Sequence, residues 1–103
     1  MGDVTLFDLT GMVAIVTGGA HGLGFAIASV FVNHGAAAVI CDSNSAAARD
    51  SAARIATEST DRVCRSVDCD VCDRQQVADA IHCVMDEFGR IDILVNNAGI
   101  HPS

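Results

Sequence analysis

Several residue types are absent from this chain or scarce in it. Its 103 residues include no tyrosine, no tryptophan and no lysine, and only one proline. The chain therefore lacks the phenol and the amine that many enzyme sites use as proton donor and acceptor. The six basic residues are all arginines and face 13 acidic residues, which gives a net charge of -7. Nucleic acids and anionic membrane surfaces repel such a polyanion, so we predict neither as a partner.

Long apolar runs are also missing. No stretch approaches the roughly 20 apolar residues of a membrane span, and residues 1–10 have neither the basic start nor the apolar core of a secretion signal. We therefore expect a soluble, cytoplasmic protein. Five cysteines without such a signal indicate a reducing compartment and free thiols, and the odd number prevents complete pairing within the chain.

Short apolar runs alternate with longer segments of helical pattern. The runs at 12–16, 37–41, 62–69 and 91–95 predict strands, and the segments at 23–32, 46–59 and 73–88 predict helices. Asp73 and Gln76 resemble a capping box at the start of the third helix, and Gly89 ends it. The first helix is apolar nearly all round, so we expect it to be buried. Strands that alternate with helices predict a parallel, doubly wound α/β sheet.

Residues 17–24, Thr-Gly-Gly-Ala-His-Gly-Leu-Gly, lie between the first predicted strand and the first helix. A helix N-terminus carries about half a positive charge and unpaired N–H groups, so a phosphate can bind there if glycine lets the backbone approach it. Gly18, Gly22 and Gly24 differ in spacing from the usual G-x-G-x-x-G. Their place between strand and helix nevertheless predicts a dinucleotide-binding turn. The alternative is that the glycines only permit tight packing of the helix on the strand.

Asp42 follows the second predicted strand, where an acidic residue accepts hydrogen bonds from the adenosine ribose of a dinucleotide. The 2'-phosphate of NADP would meet that carboxylate at about 4 Å, which costs about 4 kcal/mol at an effective dielectric near 20, or nearly three decades in affinity. We therefore predict NAD rather than NADP as the cofactor. The alternative is that Asp42 is only a helix cap.

The glycine turn, together with Asn96-Asn97-Ala98-Gly99 after the fourth predicted strand, resembles the short-chain dehydrogenase/reductase family. The resemblance covers essentially the whole chain but only the N-terminal part of a family member. It implies a Rossmann-type sheet of order 3-2-1-4 and an NAD(P)-dependent oxidoreductase that transfers hydride between the cofactor and an alcohol or ketone. It also implies a homo-oligomer.

The resemblance assigns three groups of residues to the cofactor site. The group around the pyrophosphate and adenosine ribose is Gly18, His21, Gly22, Leu23 and Gly24, with Asp42 on the ribose hydroxyls. The residues that flank the adenine are Asp70 and Val71. The group that approaches the nicotinamide ribose is Asn97, Ala98 and Gly99.

In the family, the catalytic serine, tyrosine and lysine follow the Asn-Asn-Ala-Gly turn, and no residue of this chain replaces them. We therefore expect residues 1–103 to be the N-terminal half of a Rossmann domain, truncated after the fourth strand, without catalytic residues and inactive alone. The alternative is a non-catalytic dinucleotide-binding module. In that alternative the fourth strand would have a free edge, which favours association with another chain.

The cysteines suggest a competing interpretation. Cys64, Cys69 and Cys72 have the C-x4-C-x2-C spacing of plant-type iron–sulfur proteins, with Cys83 as a fourth candidate. However, Cys64 falls in a predicted strand and Cys83 in a predicted helix, and nearby aspartates would oppose an anionic cluster. We therefore predict no metal site and treat these cysteines as small apolar residues. A redox pair of Cys69 and Cys72 is the remaining alternative.

Overall fold

Four parallel strands form one sheet in the order β3-β2-β1-β4. The computed structural model describes residues 8–18, 22–57 and 63–96. In chain order the elements are β1 (Val13–Thr17), α1 (Gly22–Asn33), β2 (Ala37–Asp42), α2 (Ser45–Ala56), β3 (Cys64–Asp68), α3 (Arg74–Phe88) and β4 (Ile93–Asn96). The predicted α/β fold and its strand order are confirmed.

Side chains alternate between the two faces along each strand, and helices pack against both faces of the sheet. One core layer packs under α1 and α2 and includes Val16, Ala38 and Ile40. The other packs under α3 and includes Ile15 and Val39. Both central strands are therefore buried on two sides, as their continuous apolar runs predict.

The prediction that α1 is buried all round is wrong. Ala28 and Val32 face the sheet and are buried, but Leu23 is 67% exposed and Val30 is 52% exposed. A helix beside a sheet buries only the stripe that faces the strands. The apolar residues on its other side stay exposed unless a further element packs against them.

Several boundaries differ from the predicted ones by a few residues. Helix α2 ends at Ala56, with Thr57 as its C-cap, rather than at residue 59. Strand β3 ends at Asp68, one residue earlier than predicted, and its predicted start at residue 62 lies outside the described residues. Strand β4 begins at Ile93, two residues later than predicted, and the preceding Asp92 bonds Val13 of β1 through both its side chain and its backbone amide.

Polar residues and a glycine cap α2 and α3. Asn44 caps α2, and its Oδ1 accepts a hydrogen bond from the amide of Ala47 at 3.2 Å. Asp73 caps α3, as the capping-box pattern predicts. Gly89 ends that helix with φ of 80°, a left-handed conformation that favours glycine. Within the described ranges, no helix has the length and apolar character that crossing a bilayer requires.

Candidate functional site

The carboxyl ends of β1, β2 and β3 surround a cavity of about 270 Å³. In open parallel sheets, ligands bind outside the carboxyl ends of the strands. Backbone bonds fix these ends together: the Gly18 amide donates to the Cys41 carbonyl at 2.8 Å, and the Cys69 amide donates to the Asp42 carbonyl at 3.2 Å. The cavity is lined by Gly18, Cys41, Asp42, Ser43, Cys69, Asp70, Val71 and Cys72.

Four of the residues that were predicted to bind the cofactor line this cavity: Gly18, Asp42, Asp70 and Val71. Three others, Gly22, Leu23 and Gly24, form the first turn of α1 and are not among the lining residues. The rest of the predicted set lies outside the described residues, namely His21, Asn97, Ala98 and Gly99.

Two glycines of the turn have backbone conformations that L side chains rarely adopt. Gly18 has φ of 68° and Gly22 has φ of 57°. An added Cβ at Gly22 would meet no atom within 4 Å, so the backbone conformation rather than lack of space requires glycine there. Gly22 begins α1, and Gly24 in the same turn is buried.

Asp42 is half-buried at the end of β2, and its Oδ1 accepts a hydrogen bond from the amide of Asn44 at 2.9 Å. This bond holds the tight turn between β2 and α2. The N-cap of α2 is Asn44. Asp42 therefore shapes the turn and lines the cavity, and the alternative that it serves as the helix cap does not hold.

The turn after β3 is organised around Asp70. Its Oδ1 accepts from the Cys72 amide at 2.9 Å, and its own amide donates to Oε1 of Gln76 at 2.8 Å. In a standard capping box, the side chain of Gln76 would instead reach the amide of the cap residue, Asp73. That amide donates to the Asp70 carbonyl at 2.9 Å. Gln76 thus links the start of α3 to a cavity residue, which the capping-box pattern did not reveal.

The cavity is acidic at its rim and neutral at its floor. The described residues that line it include two aspartates and no arginine or histidine. Burial raises the pKa of the Cys41 thiol to about 12, and burial together with nearby aspartates raises the pKa of Cys69. Both thiols are protonated at neutral pH, so they act as small apolar groups.

The four cysteines of the iron–sulfur pattern do not converge. Cys64 belongs to the core layer under α1 and α2, whereas Cys69 belongs to the layer under α3 on the opposite face of the sheet. Burial also raises the pKa of Cys64 to about 11. Across residues 8–18, 22–57 and 63–96, no three histidine, cysteine or acidic side chains form a group that could hold a metal ion.

Thr17, the last residue of β1, was not singled out in the sequence. It links β1 to the end of β4, where the Asn96-Asn97-Ala98-Gly99 segment begins. Its hydroxyl lies 3.2 Å from the Val95 carbonyl oxygen and 3.3 Å from Oδ1 of Asn96, to which it donates a shared hydrogen bond. The available signal was its position as the first residue of the glycine turn. Thr17 therefore fixes the end of β4, from which Asn97 continues.

The opposite end of the sheet carries another interaction that the sequence did not reveal. The Asp92 carboxylate accepts two bonds from Arg90, at 2.7 and 2.8 Å, and one from the Val13 amide at 2.9 Å. The Arg90 guanidinium and the Val13 amide hold the pKa of Asp92 below its usual value. This cluster joins the starts of β1 and β4.

A larger apolar groove, of about 490 Å³, lies between α1 and β4. It is lined by Leu23, Ala26, Ile27, Val30, Phe31 and Val95. Among the described residues, none with a polar or charged side chain lines the groove to orient a nucleotide. The groove is the exposed side of α1 beside an edge strand, and the smaller polar cavity is the better candidate site.

Comparison with known proteins agrees with this geometry. The family model for short chain dehydrogenases matches residues 12–103. The chain is 41% identical over 93 residues to mouse 15-hydroxyprostaglandin dehydrogenase [NAD(+)], covering 90% of this chain and 35% of that protein. It is 45% identical over 94 residues to D-threitol dehydrogenase of Mycolicibacterium smegmatis, covering 91% and 35%.

A solved structure shows the same fold. The Pseudomonas aeruginosa RhlG/NADP active-site complex superposes with a TM-score of 0.82 at 33% identity, covering 93% of this chain and 38% of that one. The chain thus spans about a third of the length of the curated relatives it matches. Because the family model matches residues 12–103 and the similar proteins named above agree with it, the chain belongs to the short-chain dehydrogenase family.

Proposed function

We propose that residues 1–103 are the N-terminal, cofactor-binding half of a Rossmann domain in an NAD-dependent oxidoreductase that acts on an alcohol or ketone. The observation that carries this proposal is the polar cavity at the carboxyl ends of the strands, in a chain of this family. Its volume of about 270 Å³ is near the lower end, about 300 Å³, of small-molecule sites. A nucleoside portion of the cofactor fits that space, whereas the complete dinucleotide extends beyond it.

The chemistry of the lining residues fits an adenosine. Asp42 offers a carboxylate that can accept hydrogen bonds from ribose hydroxyls. Val71 offers an apolar surface to the adenine ring, beside Asp70. The start of α1 at Gly22 directs backbone N–H groups toward the pyrophosphate. His21, Asn97, Ala98 and Gly99 complete the proposed site.

The cofactor, when bound, supplies the hydride-carrying nicotinamide ring. The residues of this chain bind and orient it. The order of strands places β4 beside β1, and Thr17 bonds Asn96 at that junction, so the end of β4 lies beside Thr17, the first residue of the glycine turn. The family's serine, tyrosine and lysine would complete the proton transfer from a segment other than these 103 residues.

The charge of the cavity supports NAD over NADP. Asp42 and Asp70 line the space, and the described lining residues contribute no cationic side chain to neutralise a 2'-phosphate. Repulsion by one carboxylate at about 4 Å corresponds to about 4 kcal/mol at an effective dielectric near 20. The relatives themselves differ, since one is named for NAD(+) and one is a complex with NADP. The preference therefore depends on the lining residues of this chain.

Binding of the two reduced cofactors tests the proposal. NADH and NADPH are titrated by fluorescence into the protein that carries this chain, into its Asp42→Asn variant, and into Asp86→Asn as a control. Asp86 is an exposed aspartate of α3 outside the cavity lining, so this control removes the same charge elsewhere. We expect tighter NADH binding in the wild type and in Asp86→Asn, and at least tenfold less discrimination in Asp42→Asn. Equal binding of both cofactors by the wild type would refute the NAD preference, and binding of neither would refute the cofactor role.

The alternative, a non-catalytic dinucleotide-binding module, makes a different prediction for the native protein. The intact mass and peptides of the protein from its source show whether a Tyr-x-x-x-Lys segment accompanies these residues. A protein with that segment should reduce NAD in the presence of a suitable alcohol. A protein of 10.6 kDa that binds NADH without turnover would favour the module instead.

A further inference from the structure

Helix α1 carries no charged residue, and an apolar groove follows its outer side. The groove of about 490 Å³ beside β4 is lined by residues that include Leu23, Val30 and Phe31. A second cavity, of about 290 Å³, shares Val30 and Phe31 with it and reaches Leu9 and His34 beyond the end of the helix. The two cavities together form one surface, the α1 groove, along the length of the helix. Contiguous apolar surface of this kind marks a contact site.

The chain enters the α1 groove at the end near His34. Leu9 lines the groove there, and its amide donates to the His34 carbonyl at 2.8 Å. The turn around Leu9 is held by Asp8, whose Oδ1 accepts from the Thr10 amide at 3.0 Å. Residues 1–7 lie outside the described residues and directly precede this point. They are therefore tethered to one end of the groove.

Residues 4–7, Val-Thr-Leu-Phe, match the groove in polarity and length. Side chains of an extended segment alternate between its two sides, so Val4 and Leu6 would share one side, and Phe7 would share the other with Leu9. A segment between a helix and an edge strand meets apolar surface on both sides. Seven extended residues span up to about 24 Å, whereas the 12 residues of α1 rise about 18 Å.

We propose that residues 4–7 bind in the α1 groove as a strap that covers the exposed side of the helix. Tethering favours this occupant over another molecule. Because Leu9 is already held at the groove, the residues before it are present there at an effective concentration on the order of mM. A second copy of the chain would instead have to overcome repulsion between two molecules of net charge -7.

The strap goes beyond the proposed function and does not depend on it. The described residues that line the α1 groove include none of those that line the nucleotide cavity. Removal of the strap should therefore expose α1 and leave NADH binding unchanged.

The test measures access to the groove at Val30. This residue is 52% exposed, so Val30→Cys places a thiol in the groove without opening the core. The protein that carries this chain and this substitution is treated with limiting N-ethylmaleimide. Cys83, an exposed cysteine of α3, is the internal reference, and mass spectrometry gives both alkylation rates. Fragment spectra separate residue 30 from the buried Cys41.

Two aspartates in the strap should displace it from an apolar groove. In the Val30→Cys protein, we expect Leu6→Asp/Phe7→Asp to raise the ratio of the two alkylation rates at least tenfold. The matched control is Ala53→Asp/Gln75→Asp, which adds the same two charges at exposed positions of α2 and α3. This control should leave the ratio unchanged.

Cross-linking provides a second measurement that does not depend on a rate. Leu6→Cys and Val30→Cys, combined in one protein, should be joined within one molecule by a short bismaleimide. Leu6→Cys should not be joined to Cys83, which lies on the opposite face of the sheet from α1.

The possible failures are distinguishable. An unchanged ratio in Leu6→Asp/Phe7→Asp would overturn the inference. Fast alkylation at residue 30 in every variant would mean that the groove is open, and slow alkylation in every variant would mean that another segment of the protein or a second copy covers it. NADH binding is measured in the same samples. A protein with a strap-dependent ratio that binds no NADH would overturn the proposed function and leave the strap.

Discussion

The two ends of the sheet use aspartate in opposite ways. At the amino end, Asp92 meets the guanidinium of Arg90 and the amide of Val13, which lowers its pKa. At the carboxyl end, Asp42 and Asp70 accept hydrogen bonds from amides of their own turns, and no cationic side chain stands among the described cavity residues. One carboxylate holds two strands together, and the other two line the cavity.

This difference shows how one residue type divides between structure and function. A carboxylate paired with arginine and a strand amide contributes to folding but has little capacity left for a ligand. An ionised carboxylate has about four lone-pair sites, so one that accepts from an amide of its own turn can also accept from a ribose hydroxyl. The ends can be distinguished experimentally, because changes at one should alter binding and changes at the other should alter stability.

The largest effect is expected from reversing the charge at Asp42. Asp42→Arg removes the ribose acceptor and provides a cation for a 2'-phosphate, so the ratio of NADH to NADPH affinity should fall by nearly three decades. Fluorescence titration of both cofactors measures the ratio. Asp42→Asn retains an acceptor for the Asn44 amide and serves as the folding control. An unchanged ratio in a folded Asp42→Arg protein would contradict the ribose-binding role.

Removal of Asp92 should affect stability instead. Asp92→Ala leaves the amide of Val13, a residue only 4% exposed, without its side-chain acceptor. We expect the Tm, measured by circular dichroism, to fall by several degrees, while NADH affinity at a temperature where the variant is folded stays unchanged. A loss of NADH affinity without a change in Tm would show that the two ends are not separate in function.

The pH dependence of the same cluster follows from the lowered pKa of Asp92, whose usual value is 3.8. Because the folded pKa lies below the unfolded one, the contribution is complete above the unfolded value and is lost as pH falls through the folded value. The difference in Tm between wild type and Asp92→Asn should therefore be constant between about pH 5 and 7 and should diminish below about pH 4. A difference that grows on acidification would contradict this assignment.

A smaller effect is expected at Gln76, which positions Asp70. Gln76→Ala removes the acceptor of the Asp70 amide and also a donor to Oδ2 of Asp73, and the loss of the first bond, about 1 kcal/mol, would weaken NADH binding about fivefold. Gln75→Ala is the matched control, since Gln75 lies in the same turn but bonds Asp79 instead. Equal effects of both substitutions on affinity would mean that Gln76 acts only through the helix.

The smallest effect is expected from an ion pair away from both ends. Arg65 and Glu87 are 2.9 Å apart on the surface, with side chains 55% and 46% exposed. Such pairs contribute about 0–1 kcal/mol, so Glu87→Gln should change neither the Tm nor NADH affinity measurably. A Tm loss as large as that of Asp92→Ala would mean that burial at Val13 does not explain the amino-end effect.

Much of the architecture was predictable because it depends on local patterns. The apolar runs predicted the strands and the order of elements, and the third helix is capped by Asp73 and ended by Gly89 as the sequence predicts. The resemblance to the family assigned Gly18, Asp42 and Asp70 to one cofactor site, and parallel strands bring their carboxyl ends to one edge of the sheet. The burial of α1 was not predicted correctly, because composition does not tell how many elements pack around a helix.

The sequence by itself determined the element types, the doubly wound fold and the acidic residue at the end of β2, since each follows from periodicity or from residues close in the chain. Only the tertiary structure decided which cysteines are buried and which one opens onto the cavity, because that depends on packing between distant elements. It also decided that Asp92 bonds Val13, 79 positions away, and that Thr17 bonds Asn96. Such contacts form only when the sheet brings together strands that are distant in the chain, and no local pattern encodes their partners.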